Sequence, residues 1–393
     1  MRILAINHEF PPLGGGGANA NYYIARELVR QGHEVTVVTS RMHDLPAQET
    51  VEGVEVIRLR CFRRNTSHTT LRECMFWVAR ATAFVIGWAA RNRPDVVQAF
   101  FALPNGPVAW AAARAARRPY FVRLGGGDVP GNDPTRYSRI SRLLLPITRM
   151  ILTRAGGRIV NSSGLLAKVN AAYPGLAFEV IPNGIDLDEF QPGPARADGE
   201  PTRLLFVSRL VERKGLQFLL PALANLQQRG HDFRLRIVGD GPMMPQLQQM
   251  VADEGLQDRV RLDGAVAHDE LPAIYQDADV FVLPSLAEGM ANVMLEAIAS
   301  GLAVVGTRVA GMDELVDDGR NGWLVEAGEI APLEAALEEA LAHPEMTAEM
   351  GRASRALAEE MSWSRIARAY DEVWSRGLGD GSAEQPTESV ALP

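Results

Sequence analysis

Two glutamates eight positions apart, Glu288 and Glu296, mark the strongest chemical signal in the chain, within ADVFVLPSLAEGMANVMLEAIASG at 278–301. An apolar run ends at Pro284, a loop carries Glu288 and Gly289, and a helix-like stretch of small and apolar residues begins near Ala291. On one continuous helix that spacing would leave about 80° between the side chains. Because Glu288 precedes the helix, it can instead reach into a cleft while Glu296 projects from the second turn. One carboxylate could accept sugar hydroxyls and the other a ribose diol. The amides of Gly289, Met290, Ala291, Asn292 and Val293 would face an anion. Met294, Leu295, Ala297 and Ile298 leave Glu296 little polar face, and a carboxylate in such a helix has a job or a partner.

Cations that could complement such a site stand in FVSRLVERKG, where Arg209 and Lys214 follow a strand-like run. A guanidinium fork and an ammonium at a strand's carboxyl end can converge on a diphosphate. Taken alone, two basic residues in a turn read first as solvated surface. Gly14-Gly15-Gly16-Gly17, between RILAIN and ANANYYIARELVRQG, lets backbone approach a phosphate at a helix start. It is neither GxGxxG nor a Walker motif, and a flexible turn is as good a reading. In FVRLGGGDVPG, Asp128 lies close to Arg123 and either contacts a substrate or caps its loop. His8 and His268 read as loop residues. The literal DxD at Asp186 to Asp188 falls in the NGID turn rather than at a metal site.

The elements that must position these residues alternate between short β-branched runs and longer amphipathic stretches, the pattern of doubly wound parallel sheets. Strands are expected at 2–7, 34–39, 54–59, 95–100, 120–124 and 158–162, then at 203–208, 233–239, 259–264, 278–284, 303–307 and 322–326. PGPARADGEP (192–201) between the two sets reads as a linker. The chain of 393 residues is long enough for two domains, with 47% hydrophobic and 22% charged residues. Residues 1–190 carry +8 and the remainder −16, which argues for two domains with different partners. Two cysteines, Cys61 and Cys74, make no disulfide framework or zinc motif. No signal peptide or spanning helix is read, so a cytoplasmic location is expected. A ligand cleft is expected between the carboxyl ends of the two sets of strands.

The ordered set of glycine loop, IPNGID (181–186), SRLVERKG, IVGDGP (237–242) and EGMANVMLEAIASG resembles the retaining nucleotide-sugar glycosyltransferases of family 4 across about residues 1–376. The resemblance implies a GT-B fold of two Rossmann-like domains. Residues 1–190 would bind the acceptor and 191–362 the donor, with helix 363–376, bearing Trp363, Tyr370 and Trp374, crossing back before a disordered tail at 377–393. It implies that Arg209 and Lys214 bind the diphosphate, that Gly15 and Gly16 face phosphate, and that Glu296 holds the ribose. Glu288 and the backbone of Gly289 to Val293 would hold the donor sugar and distal phosphate, and Val266 would meet the base through its backbone. Asp128 matches the acid of the family's His-Gly-x-Asp pattern, but the usual His is Gly125. No metal or other cofactor is implied beyond the nucleoside diphosphate sugar.

Retaining transfer to a hydroxyl of a saccharide or lipid-linked acceptor is therefore expected. An epimerase of the same fold and a nucleotide-sugar-binding protein without transfer activity are the alternatives. An NAD-dependent oxidoreductase is weakest, because the glycine fingerprint is absent. No nucleic-acid partner is expected. Basic residues among apolar ones in RLRCFRR (58–64) and at Arg136, Arg139, Arg142, Arg149 and Arg154 allow peripheral contact with an anionic membrane, with packing into the domain the competing reading. Residues 74–90 read as a buried helix.

Overall fold

In this computed structural model, which describes residues 1–42, 44–66, 69–129, 138–194, 199–288, 291–309 and 311–379, the twelve expected runs are all strands, with ends shifted by at most two residues. Gly289, Met290, Arg136, linker residues 195–198 and tail residues 380–393 lie outside the described residues, as do the side chains of Arg139 and Arg142. The chain forms two units, Met1–Gly184 together with the helix from Trp363, and Ile185–Ser362. The second unit thus starts before the proline-rich linker: Ile185 bridges to Ser362, and the Phe190 ring packs edge-on against Tyr275.

The first unit holds β1 (Arg2–Ile6), α1 (Gly16–Arg30), β2 (Glu34–Arg41), β3 (Gln48–Val51), β4 (Val54–Arg60), α2 (Leu71–Asn92), β5 (Val96–Phe100), α3 (Asn105–Ala116), β6 (Tyr120–Leu124), α4 (Ser138–Arg154), β7 (Gly157–Val160), α5 (Ser163–Ala172) and β8 (Glu179–Val180). Its sheet runs β3-β4-β2-β1-β5-β6-β7-β8, parallel except where β3 pairs antiparallel with β4. The order reverses between β1 and β5, which opens the loops following those strands toward a ligand.

The second unit comprises β9 (Thr202–Val207), α6 (Leu216–Gln228), β10 (Phe233–Val238), α7 (Met244–Asp253), β11 (Val260–Gly264), α8 (Leu271–Gln276), β12 (Val280–Leu283), α9 (Asn292–Ala299), β13 (Ala303–Thr307), β14 (Gly322–Val325), α10 (Ile330–Ala342) and α11 (Pro344–Glu359). Its all-parallel sheet runs β11-β10-β9-β12-β13-β14, the dinucleotide-fold order, and switches between β9 and β12. Near-continuous apolar strands are what a sheet covered on both faces requires. Phe206, Ile237, Phe281 and Val305 are fully buried.

The last helix, α12 (Trp363–Gly379), returns to the first unit and includes residues expected in the tail. Trp363, Ile366, Ala367, Tyr370 and Trp374 recur every three or four residues and are buried with Ile3, Val35, Val96 and Phe121. The Trp363 ring stacks on Tyr23 with centroids 5.2 Å apart, and Trp374 Nε1 donates to Gln98 Oε1 at 3.0 Å. Truncating Trp374 to Ala would cost about 3–5 kcal/mol.

Helix α2 departs from the expected buried helix. A Thr70–Glu73 capping box starts it, and only one stripe, Trp77, Ala81, Val85 and Ala89, is buried. The opposite face, with Met75, Phe76 and Ile86, is exposed. RLRCFRR also differs from a basic surface patch. Arg58 is buried and bonds Glu49 Oε1 at 2.7 Å, and Arg63 is buried against backbone carbonyls, so only Arg60 and Arg64 of its arginines reach solvent. No helix among the described residues is long and apolar enough to cross a membrane.

Candidate functional site

At the switch point of the second unit, the chain leaves β9 through Ser208 and exposed Arg209, makes one 3-10 turn, Glu212–Lys214, and reaches Gly215. Gly215 has φ +79°, and a Cβ there would lie 1.8 Å from the Pro284 carbonyl oxygen, so only glycine lets this loop touch the end of β12. The contact continues as Leu286 N–H donates to Arg213 O at 2.7 Å and the Arg213 guanidinium donates to Ala287 O at 3.2 Å.

This seam brings Lys214 and Glu288 together. Lys214 Nζ donates to Glu288 Oε1, which also accepts from Ser285 Oγ at 2.7 Å, and both charged side chains are buried. Burial pushes the Lys214 ammonium below the usual lysine range, while Glu288 opposes that shift; Arg209 is near enough to lower it further. A compact cation held beside one carboxylate can exchange that partner for a phosphate oxygen.

Beyond it, α9 starts at Asn292 after Ala291, with no side-chain cap on its first turn. Glu296 is buried on this helix and accepts from the Tyr275 hydroxyl at 2.9 Å. Burial raises its carboxyl above the ordinary range, against the opposing tyrosine hydrogen bond and nearby His268. His268 lies 3.3 Å from Glu189, whose hydrogen bond raises the imidazole. Val266, between β11 and α8, is half-buried. Asp186 is engaged by the backbone, its Oδ1 accepting from the Asp188 and Glu189 amides.

In the first unit, Gly15 precedes α1 and Gly16 begins it, and the amides of Gly15, Gly16 and Gly17 have no hydrogen-bond partner among the described residues. Three open amides and the helix dipole form an anion-receptive end. The Gly14 N–H donates to Thr66 O at 2.7 Å, which fixes the loop. Asp128 is half-buried between two loops: its Oδ2 accepts from Ala102 N at 2.7 Å and its Oδ1 from Gly125 N at 3.0 Å. Burial raises its carboxyl, which the amide hydrogen bonds and Arg123 oppose.

Gly125 is explained by Phe101. A Cβ at Gly125 would lie 2.5 Å from the Phe101 ring, and one at Gly17 would lie 2.4 Å from it. The ring fills the space a histidine at 125 would need. It is held there by a left-handed backbone, φ +70°, and by Phe101 N–H donating to Arg123 O at 2.7 Å.

Several polar residues here carried no sequence signal. Asn105 Oδ1 accepts from His8 N at 3.1 Å and Trp77 Nε1 at 2.9 Å, and Arg63 donates to His8 O at 3.0 Å. Tyr275 likewise acquires its role only through a partner distant in sequence. For Ser285, the three-residue spacing to Glu288 was the available signal.

Residues 201–343 match the family described as Glycosyl transferases group 1, and residues 15–184 match Glycosyl transferase 4-like domain. The GDP-mannose-dependent alpha-(1-6)-phosphatidylinositol monomannoside mannosyltransferase of Mycolicibacterium smegmatis is 32% identical, covering 90% of this chain and 92% of the relative. A glycogen synthase of Mycobacterium tuberculosis is 28% identical, with 100% of each chain covered. Sucrose-phosphate synthase from Thermosynechococcus elongatus shares the fold with a TM-score of 0.80 at 22% identity, over 95% of this chain and 98% of that one. The chain belongs to the family 4 nucleotide-sugar glycosyltransferases and has the GT-B fold. The epimerase and binding-protein alternatives are not favoured by these relatives.

Proposed function

We propose that this glycosyltransferase transfers a sugar, with retention of anomeric configuration, to a hydroxyl of a lipid-linked acceptor. The observation that carries the donor half of this reading is the buried Lys214–Glu288 pair beside Arg209 at the β9/β12 switch point. As the glycosyl–phosphate bond breaks, negative charge grows on the departing diphosphate and positive charge on the sugar. Arg209, Lys214 and the first-turn amides of α9 meet the former. Glu288 turns from Lys214 toward the sugar hydroxyls. Glu296 accepts the ribose diol, with Tyr275 orienting it, and the Val266 backbone meets the base. Gly289 and Met290 would contribute backbone amides, and Gly15 and Gly16 a second phosphate contact. Asp128, tied to two amides, acts by positioning the Gly125 loop.

Retention is supported by the family resemblance and by Glu288 being held by Lys214 and Ser285, an arrangement unlike the free base inversion needs. The mannosyltransferase relative makes GDP-mannose the first donor to test and a phosphoinositol glycolipid the first acceptor. The reaction draws on no cofactor besides the donor, and it is read at the cytoplasmic membrane face. The test incubates the protein with GDP-mannose, UDP-glucose or ADP-glucose and either that glycolipid or an oligosaccharide. Acceptor-dependent sugar transfer to the lipid supports the reading. Donor turnover into an isomer without acceptor would refute it, and transfer only to the oligosaccharide would remove the lipid-linked acceptor.

A further inference from the structure

Most of the large apolar side chains exposed among the described residues lie on one side of the first unit, on α2, α3, α4 and the loop before α2. The densest group is Phe62, Met75, Phe76 and Ile86, which are 75%, 65%, 54% and 47% exposed. On α2 the positions between Met75 and Ile86 on this face are Ala79 and Ala83, also exposed, so the helix presents a continuous apolar strip opposite its buried one. Such a strip on a water-soluble surface marks an interaction site.

The apolar tip is held outward. Phe62 has φ +60°, a conformation costly for an aromatic residue, and its ring meets Phe76 edge-on at 5.2 Å. The next residue, Arg63, fixes that backbone by donating to Asn65 O at 2.8 Å, Thr66 O at 2.8 Å and His8 O at 3.0 Å. A strained phenylalanine facing water is retained only where its surroundings impose it.

Charge identifies the partner. Residues 58–154 contain seventeen arginines, no lysine and four carboxylates. Of those carboxylates, Glu73 is buried and Asp128 half-buried, both on hydrogen bonds, Asp95 lies by Arg118, and Asp133 is outside the described residues. Arg60, Arg64, Arg72 and Arg80 are exposed around the strip, and among the described residues none of their guanidinium groups meets a carboxylate. A second copy docked face to face would set these arginines against their own equivalents. An anionic bilayer satisfies both components, with headgroup phosphates for the arginines and acyl chains for the rings.

We propose that the exposed face of α2 and the Phe62 tip seat the first unit on an anionic lipid bilayer. This deepens the lipid-linked acceptor reading and rests on it for its biological use, but the docking can be measured without sugar transfer. The experiment is sedimentation of the full chain with vesicles of phosphatidylglycerol and phosphatidylcholine, or of phosphatidylcholine alone, at about 50 and about 500 mM salt. The proposal expects pelleting with the anionic vesicles that falls severalfold at high salt. It also expects about a tenfold or greater loss in both Phe62→Ser/Phe76→Ser and Arg72→Glu/Arg80→Glu, with unchanged melting and donor binding. Failure of the wild-type chain to pellet, or equal pelleting by the serine variant, would overturn it. So would a lipid-free dimer in size-exclusion chromatography that the serine variant abolishes. Bilayer binding by an enzyme that glycosylates only soluble oligosaccharides would uphold the docking and remove the lipid-linked acceptor.

Discussion

Gly125→Ala places a methyl carbon 2.5 Å from Phe101 Cε1 and 3.2 Å from its Cδ1, closer than carbon atoms pack. The ring cannot retreat toward α1, because the space at Gly17 is already so tight that a Cβ there would lie 2.4 Å from the ring. Its backbone is pinned through the Arg123 carbonyl at 2.7 Å. Relief therefore requires an off-rotamer ring or a backbone shift, a cost of about 1–3 kcal/mol. At about 2–4 °C per kcal/mol for a unit of this size, the melting temperature should fall by several degrees. Adding Phe101→Ala removes the clash, so the double variant should be more stable than the sum of the two single changes predicts. The family's histidine should follow the same rule, with Gly125→His tolerated far better beside Phe101→Ala. Calorimetry of the four alanine-series proteins measures the coupling. Wild-type melting by Gly125→Ala, or simple additivity in the double variant, would refute the assignment of Gly125 to the ring.

Arg209→Ala should lower kcat/KM by about 10² or more with little change in melting, because Arg209 is exposed; near-normal kinetics would remove it from the diphosphate site. Glu296→Gln should weaken binding of the free nucleoside diphosphate in calorimetric titration, and unchanged affinity would disprove the ribose contact. Because burial lowers the Lys214 pKa, kcat/KM should fall with rising pH before the ordinary lysine range, as the ammonium loses its proton. In Lys214→Arg that alkaline fall should move upward, and an unmoved limb would assign it to another group.

The strands were legible because sheets covered on both faces demand short, nearly all non-polar runs rich in valine, as in Val280–Leu283 and Ala303–Thr307. Strand β3 was not, because QETV is an edge strand with three polar residues before its one apolar residue, and its turn uses Glu52-Gly53 with both residues at positive φ, a weaker signal than Asn-Gly. Composition alone makes residues 74–90 a buried helix. Their periodicity assigns only Trp77, Ala81, Val85 and Ala89 to the core. Glu296 stood out as a carboxylate without a polar face, whereas Tyr275, its partner across 21 residues, could be paired with it only once α8 and α9 were in place. The absence of the usual histidine at Gly125 was visible; that Phe101 occupies its space depends on a backbone angle no local pattern announces.

The most direct measurement of the central claim is the anomeric configuration of the first-formed product, followed by proton NMR from an α-linked nucleoside diphosphate sugar under acceptor-dependent turnover. Retaining transfer at the Lys214–Glu288 site predicts an α-glycoside. A β-linked product would contradict it.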